Sequence, residues 1–384
     1  LLWWDDNEYE KALEFLGLAI GENQERLQYR LIRGDVYLEM KRYKDALLEY
    51  DAAEPEYGSR PGIHYARGLC QEGLNAMEKA VEHFKKVVEL QNGYKDANEK
   101  LSDYYKDRYE DFGRKEDYER ALYYINRQLE VKENCYYLIC RGLIYDVAME
   151  QELAIEDYEK AAKYSPDKWI VWNNMGCSYK YLKQYEKAIQ CCRKAIAIMG
   201  EKKDRMPYRN LADCYKALGD KEKAIACYKK GLEITPDYAY FWEEIGDLYY
   251  ELGRFEEALE AYSHTKERNK HYSDVGDVWL KRGKLKKCIA CYKQGIAEAE
   301  GSVKVSRISS LGDLYLEELW DFSRAVKCYK QAVELESDPY ELYDYERYLA
   351  RAYYMMGKEK EAKKHARRSL EYFKKSGRNE EDYL

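Results

Sequence analysis

Proline is scarce in this chain, six residues in 384, so few positions force a helix to stop. No run of 18 apolar residues occurs, which excludes an evident membrane-spanning helix. An excess of basic charge is also missing. Lys and Arg number 65 against 72 Asp and Glu, for a net charge of -7 and a pI near 5.6, and this argues against general affinity for nucleic acid. Histidine is limited to His64, His83, His264, His271 and His365. They are scattered, with no H-E-x-x-H among them. The phosphate-binding G-x4-G-K-[ST] loop is absent too, since Gly276 to Gly283-Lys284 has the wrong spacing. No Ser/Gly linker or low-complexity block divides the chain.

Cysteine is the one reactive residue in good supply, with eleven copies. The number is odd, and the residues lie singly on helical faces. Cys288 and Cys291 form a C-x-x-C, but a structural zinc site wants four ligands and no second pair follows. Cys191, Cys227, Cys291 and Cys328 recur in one column, as small packing residues do. Reduced thiols in a cytoplasmic protein fit this usage. The expectation is a non-enzyme with no catalytic, cofactor-binding or metal site.

What is present is a repeated spacing. Trp172, Met175, Gly176, Tyr179, Ala188, Cys192 and Ala195 follow W-x2-L-G-x2-Y-x8-A-x3-F-x2-A. The frame returns at Tyr208, Leu211, Ala212, Tyr215, Ala224, Tyr228 and Gly231, and again from Trp242 through Gly246 to Tyr262. A column of small residues runs through the chain: Gly34, Gly68, Ser102, Gly142, Gly176, Ala212, Gly246, Gly276, Gly312 and Ala350. A side-chain branch at these places would hold two crossing helices apart, so small residues are needed there. A second small column, from Ala12 and Ala46 to Ala325 and Ala362, lets the paired helix approach. Large residues, among them Tyr37, Tyr145, Tyr179, Tyr215, Tyr249 and Tyr315, recur between them at helical spacing.

This pattern resembles the tetratricopeptide repeat (TPR), a helix-turn-helix unit of about 34 residues. The resemblance implies an all-α fold, a right-handed superhelical solenoid of about ten repeats plus an initial half repeat. It covers essentially the whole chain, read as one solenoid over 1–384. Residues 1–26 form a partial first repeat, 27–357 the repeat array, and 358–384 a final helix acting as C-terminal cap and tail. Extra residues from Lys106 to Asp117 should lengthen one hairpin, and the junction from Thr265 to Tyr272 should be tightened. Because the first residues already sit inside a repeat, the N-terminus is expected to be cut, and an upstream signal, anchor or domain stays open.

In proteins of this family the first helices line a concave groove that commonly receives an extended peptide or a partner helix. On that face Asp213, Asp247, Asp277 and Asp313 occupy one place in four consecutive units, joined by Glu243, Glu244 and Asp274. Asn174 and Asn210 stand where glycosyltransferase-type arrays carry asparagines that hold a peptide backbone, since an amide serves both N–H and C=O. Arg347 and Arg351 close the same face with the opposite sign. Two readings of the acidic column stay open: a solvated wall, or a binding surface for a basic segment. A chaperone-tail carboxylate clamp does not fit, because Glu243, Glu244 and Asp247 oppose an anion near Arg209. The favoured function is a non-catalytic protein–protein interaction scaffold binding a peptide or helix, basic in character. The alternatives are the recognition arm of a larger multidomain protein and, disfavoured by the acidic groove, capture of single-stranded RNA by stacking.

Overall fold

A computed structural model describes residues 8–22, 27–57, 60–200, 204–265 and 272–376. Helices account for the regular structure among these residues, with no strand. The expected Thr265–Tyr272 junction falls mostly on 266–271, outside the described residues, as do 1–7 of the expected partial first repeat and 377–384 of the expected cap and tail.

The chain divides into two compact units, Leu1–Leu218 and Gly219–Leu384. The first contains α1 (Tyr9–Glu22), α2 (Leu27–Glu39), α3 (Tyr43–Tyr57), α4 (Pro61–Gly73), α5 (Met77–Leu90) and α6 (Ala97–Phe112). These are followed by α7 (Lys115–Val131), α8 (Cys135–Val147), α9 (Gln151–Tyr164), α10 (Trp169–Tyr181), α11 (Tyr185–Met199) and α12 (Met206–Ala217). The second contains α13 (Lys221–Ile234), α14 (Ala239–Glu251), α15 (Phe255–Ser263), α16 (Tyr272–Lys281) and α17 (Leu285–Ala297). It ends with α18 (Gly301–Asp313), α19 (Phe322–Leu335), α20 (Pro339–Met355) and α21 (Glu359–Ser376). The residues inserted between Lys106 and Asp117 lengthen both α6 and α7 to 16 and 17 residues.

Local chemistry sets where these helices begin and turn. Asn134, Asp220, Asp321 and Asp338 each accept a backbone N–H at the start of α8, α13, α19 and α20, satisfying a donor the helix cannot. The ten turns that follow first helices each carry one left-handed residue: Lys41, Asn75, Gly113, Met149, Lys183, Gly219, Gly253, Gly283, Trp320 and Gly357. Glycine fills half of them because that conformation costs a residue with a Cβ roughly 1–2 kcal/mol.

Packing within each hairpin follows from the small column. The hydrogen side of Gly34, Gly142, Gly246, Gly276 and Gly312 faces the ring of Tyr50, Tyr158, Tyr262, Tyr292 and Tyr329 on the second helix. Phe84 takes the same place against Gly68 and the Cys192 thiol against Gly176. Tyr50, Tyr158 and Tyr329 are fully buried, each ring withdrawn from water contributing about 2–3 kcal/mol. In four of the five Gly–Tyr pairs the tyrosine follows the glycine by 16 residues; Gly312 and Tyr329 are 17 apart. The additional residue is absorbed by a π turn at Leu314–Glu318, where Leu319 N–H donates to Leu314 C=O at 3.0 Å and Asp321 N–H to Tyr315 C=O at 2.8 Å. One-residue insertions of this kind are the usual origin of π turns in α-helices.

A Cβ on Gly246 would lie 2.4 Å from Tyr262 Cε1, whereas one on Gly17 of α1 meets nothing within 4 Å. Gly246→Ala is therefore expected to lower stability by roughly 1–3 kcal/mol through overpacking, and Gly17→Ala to raise it by about 0.5–1 kcal/mol through helix propensity. Thermal or urea unfolding of the two variants checks both signs.

Candidate functional site

Burying a tyrosine ring against glycine leaves its hydroxyl in need of an acceptor. Aspartate supplies it in all five Gly–Tyr hairpins. Tyr50 donates to Asp35 at 2.8 Å, Tyr158 to Asp146 at 2.7 Å, Tyr262 to Asp247 at 2.7 Å, Tyr292 to Asp277 at 2.7 Å and Tyr329 to Asp313 at 2.6 Å. Four of these aspartates directly follow the glycine. Asp146 lies three residues further along α8, which is the same helical face. Where Phe84 replaces tyrosine, Leu69 follows the glycine; where Cys192 does, Cys177 follows it.

This gives Asp247, Asp277 and Asp313 a role inside the fold that the sequence pattern did not disclose. Each spends part of its accepting capacity on a core hydroxyl. Burial is the main cause that holds Asp277 and Asp313 above the ordinary Asp value of 3.8, with the tyrosine hydrogen bond partly opposing it. Asp35 and Asp146 are raised for the same reason. The phenols of Tyr292 and Tyr329 are pushed well above their usual range, first by burial and then by the facing aspartate.

In the second unit, Asp274, Asp277, Asp313, Glu317 and Glu318 line a groove of about 430 Å³, with Tyr250, Ser310 and Lys281 among its other walls. The π turn contributes its two glutamates to this lining. Glu243 and Glu244 lie on α14 with Asp247, and Glu244 stands 3.5 Å from the Tyr228 hydroxyl. The change of sign expected from Arg347 and Arg351 is muted. Arg347 pairs with Asp344 at 3.0 Å and Arg351 with Glu317 at 2.8 Å, so neither presents an unmatched charge.

In the first unit a second groove, about 660 Å³, is lined by Asn173, Asn174, Lys180, Arg209 and Asn210. Its walls also hold Leu143, Met149, Tyr181 and Met206. Asn210 is buried, and both ends of its amide are used within the unit. Its Nδ2 donates to Asn173 Oδ1 at 3.1 Å, and its Oδ1 accepts from Lys180 Nζ at 3.1 Å. Lys180 also holds Asp213 at 2.8 Å. Asn174 is the more accessible of the two expected asparagines; its Oδ1 accepts from Asn173 Nδ2 at 3.2 Å. Sequence reading missed Asn173, Lys180, Asp146 and the two π-turn glutamates. A scan for tyrosine 12 to 16 residues after an aspartate would have found Asp35 and Asp146, while the glutamates needed knowledge of the inserted residue.

No group of three or more His, Cys, Asp or Glu side chains among the described residues could hold a metal ion, and no described helix is long and apolar enough to cross a membrane. Burial raises the thiols, Cys191, Cys288 and Cys328 to about 11 and Cys70, Cys140 and Cys214 to about 12.

Arrays of helical pairs in which a small residue of the first helix meets a side chain of the second form a class of repeat protein whose neighbours stack into a shared core. Tetratricopeptide-repeat family models match residues 170–237, 209–269 and 61–94. The chain is a tetratricopeptide-repeat protein, with an all-α solenoid fold. Among solved structures, that of MamA is similar at 19% identity and a TM-score of 0.38, over 41% of this chain and 92% of that one. A structure of pilF from Pseudomonas aeruginosa is similar at 18% identity and a TM-score of 0.43, over 54% of this chain and 96% of that one. No curated protein matches the sequence.

Two measurements follow from the buried groups. Between 3.8 and their raised values, Asp277 and Asp313 bind protons more in the folded than in the unfolded chain, so their ionisation opposes folding as pH rises and the full cost is present at neutral pH. Asp277→Asn with Asp313→Asn keeps a carbonyl acceptor for each tyrosine. Its stability relative to the parent is expected to increase from the ordinary carboxylate range up to neutral pH; superimposable pH profiles in denaturant unfolding would contradict this. Alkylation of Cys191, Cys288 and Cys328 by iodoacetamide at neutral pH is expected to be far slower than that of a free thiol, with mass spectrometry reporting the sites.

Proposed function

We propose that this chain is a non-catalytic scaffold that captures a basic segment of a partner protein in the acidic groove of its second unit. Tetratricopeptide repeats mediate protein–protein interaction, and the finer reading is carried by one observation. Five carboxylates, Asp274, Asp277, Asp313, Glu317 and Glu318, converge on one groove, against Lys281 in its lining and Arg351, which pairs with Glu317 at 2.8 Å. A wall with an excess of one sign raises the local potential and draws in the opposite charge.

The tyrosine–aspartate bonds support this reading in a specific way. A side chain whose one oxygen is fixed by a core hydroxyl is held in place before the partner arrives, so less ordering entropy is lost on binding. Asp277 and Asp313 thus act as fixed acceptors, while Asp274 and Glu318 supply charge without a tyrosine bond and Glu317 shares its charge with Arg351. Lysine or arginine side chains of the partner meet these carboxylates, and an extended or helical backbone follows the groove. The asparagine-lined groove of the first unit offers Asn174 as a backbone-holding residue for a separate stretch of peptide.

Variants must remove charge without removing a core hydrogen bond. The triple variant Asp274→Asn, Glu317→Gln, Glu318→Gln meets that condition. Fluorescence anisotropy with arrays of short lysine- and arginine-rich peptides is expected to show affinity falling by at least about tenfold, equivalent to 1.4 kcal/mol, with unchanged melting. Equal binding of acidic control peptides, or unchanged affinity in the triple variant, would remove the acidic groove from consideration.

A further inference from the structure

The α4–α5 hairpin is built without the tyrosine–aspartate bond. Phe84 fills the ring place against Gly68, Leu69 follows the glycine, and the phenyl ring has no hydroxyl to share. A different polar tie joins these two helices. One turn before Gly68, His64 of α4 meets His83 of α5, both rings half-buried, with the two Nδ1 atoms 3.3 Å apart. The ring centres are 5.6 Å apart, which is that distance plus one ring radius on each side, so the nitrogens point at one another. Such a head-on pair needs one Nδ1 carrying a proton and the other bare. A first added proton is taken by the outer nitrogen of the donor ring, and the bond stands. A second has to enter the shared gap, where it sets N–H against N–H and one cation against another.

We propose that the His64–His83 pair makes the α4–α5 hairpin an acid-sensitive joint in the array, closed at neutral pH and opening locally as protons accumulate. The charges around the pair favour that response. Arg67 of α4 is a buried cation, held by Asp51 at 2.7 Å and Glu54 at 3.1 Å from α3. Glu82 adjoins His83, and Lys79 and Lys86 stand one turn to either side on α5, Lys86 pairing with Glu89 at 3.6 Å. Burial first, then His64 and Arg67, hold His83 below the ordinary histidine value of 6.5, against smaller opposing effects of Glu82 and Asp51. His83 thus takes its proton less readily in the folded chain than in the unfolded one. The hairpin has its full stability above 6.5 and loses it as pH falls through and below that value. A protonated aspartate, by contrast, still offers a carbonyl oxygen to its tyrosine. α4 supplies Ile63, Tyr65 and Leu69 to a groove of about 630 Å³ in the first unit, so the joint governs one wall of that groove. The acidic groove of the second unit takes no part in it.

The test is limited proteolysis of the full chain by a glutamyl endopeptidase, at neutral pH and at about pH 5. Both α5 and α9 carry suitable glutamates, such as Glu82 and Glu156, and the ratio of their cleavage rates cancels the pH dependence of the protease. Cleavage of a transiently opened helix follows the population of the open form, so the α5-to-α9 ratio is expected to rise by about tenfold on acidification. His83→Asn keeps a donor and an acceptor facing His64 without a titrating ring, and His64→Asn does the same from the other side. In both variants the ratio is expected to stay level. Ring NMR of the parent is expected to show the two histidines taking up protons in two separate steps. A level ratio in the parent, a rise that survives both substitutions, or two rings that titrate together without separation would overturn the proposal.

Discussion

The tyrosine hydroxyl that must find an acceptor beneath a close helix crossing is the constraint on which most of this structure depends. Glycine allows the crossing, the crossing admits a large ring, and the ring brings a polar atom into the core. A carboxylate on the first helix then satisfies that atom. Remove the hydroxyl, as Phe84 does, and the carboxylate is no longer needed. The same three residue types therefore serve packing, polar satisfaction and helix pairing at once. Ion pairs reinforce them locally, most clearly Arg141 with Asp157, whose two bonds are both 2.7 Å and whose carboxylate is buried.

Much of the architecture could be read from residue spacing. The glycine column and the alanine column are steric requirements, and steric requirements leave a small-residue signature that needs no coordinates. The acidic column was harder to interpret. A carboxylate bonded to a buried tyrosine and a carboxylate facing an open groove occupy the same position on the same helix face, and Asp277 and Asp313 do both. Asp146 escaped the column because it sits one turn further along α8. Asn210 looked available by type, yet Lys180 and Asn173 occupy both ends of its amide, a contact set by neighbouring helices. The π turn was hidden because one inserted residue leaves the repeat spacing plausible.

The two units carry different groove chemistry on the same scaffold. In the first, amides and two cations line a groove with apolar side chains along its walls. In the second, carboxylates gather on α16 and α18, and the inserted residue adds two more. Each set is built on first helices, where the pairing bonds fix the backbone and leave neighbouring positions to vary. Specificity can differ from unit to unit while the packing rule stays the same.

The tyrosine–aspartate bonds join residues only 12 to 16 positions apart. Every such bond is thus closed within one hairpin, and none ties distant parts of the sequence together. Other contacts, such as Ser178 Oγ donating to Asp146 at 2.7 Å, join one hairpin to the next. One hairpin can open and close while those further along keep their own bonds, so protection from solvent exchange becomes a property of each repeat, graded along the array instead of shared by it.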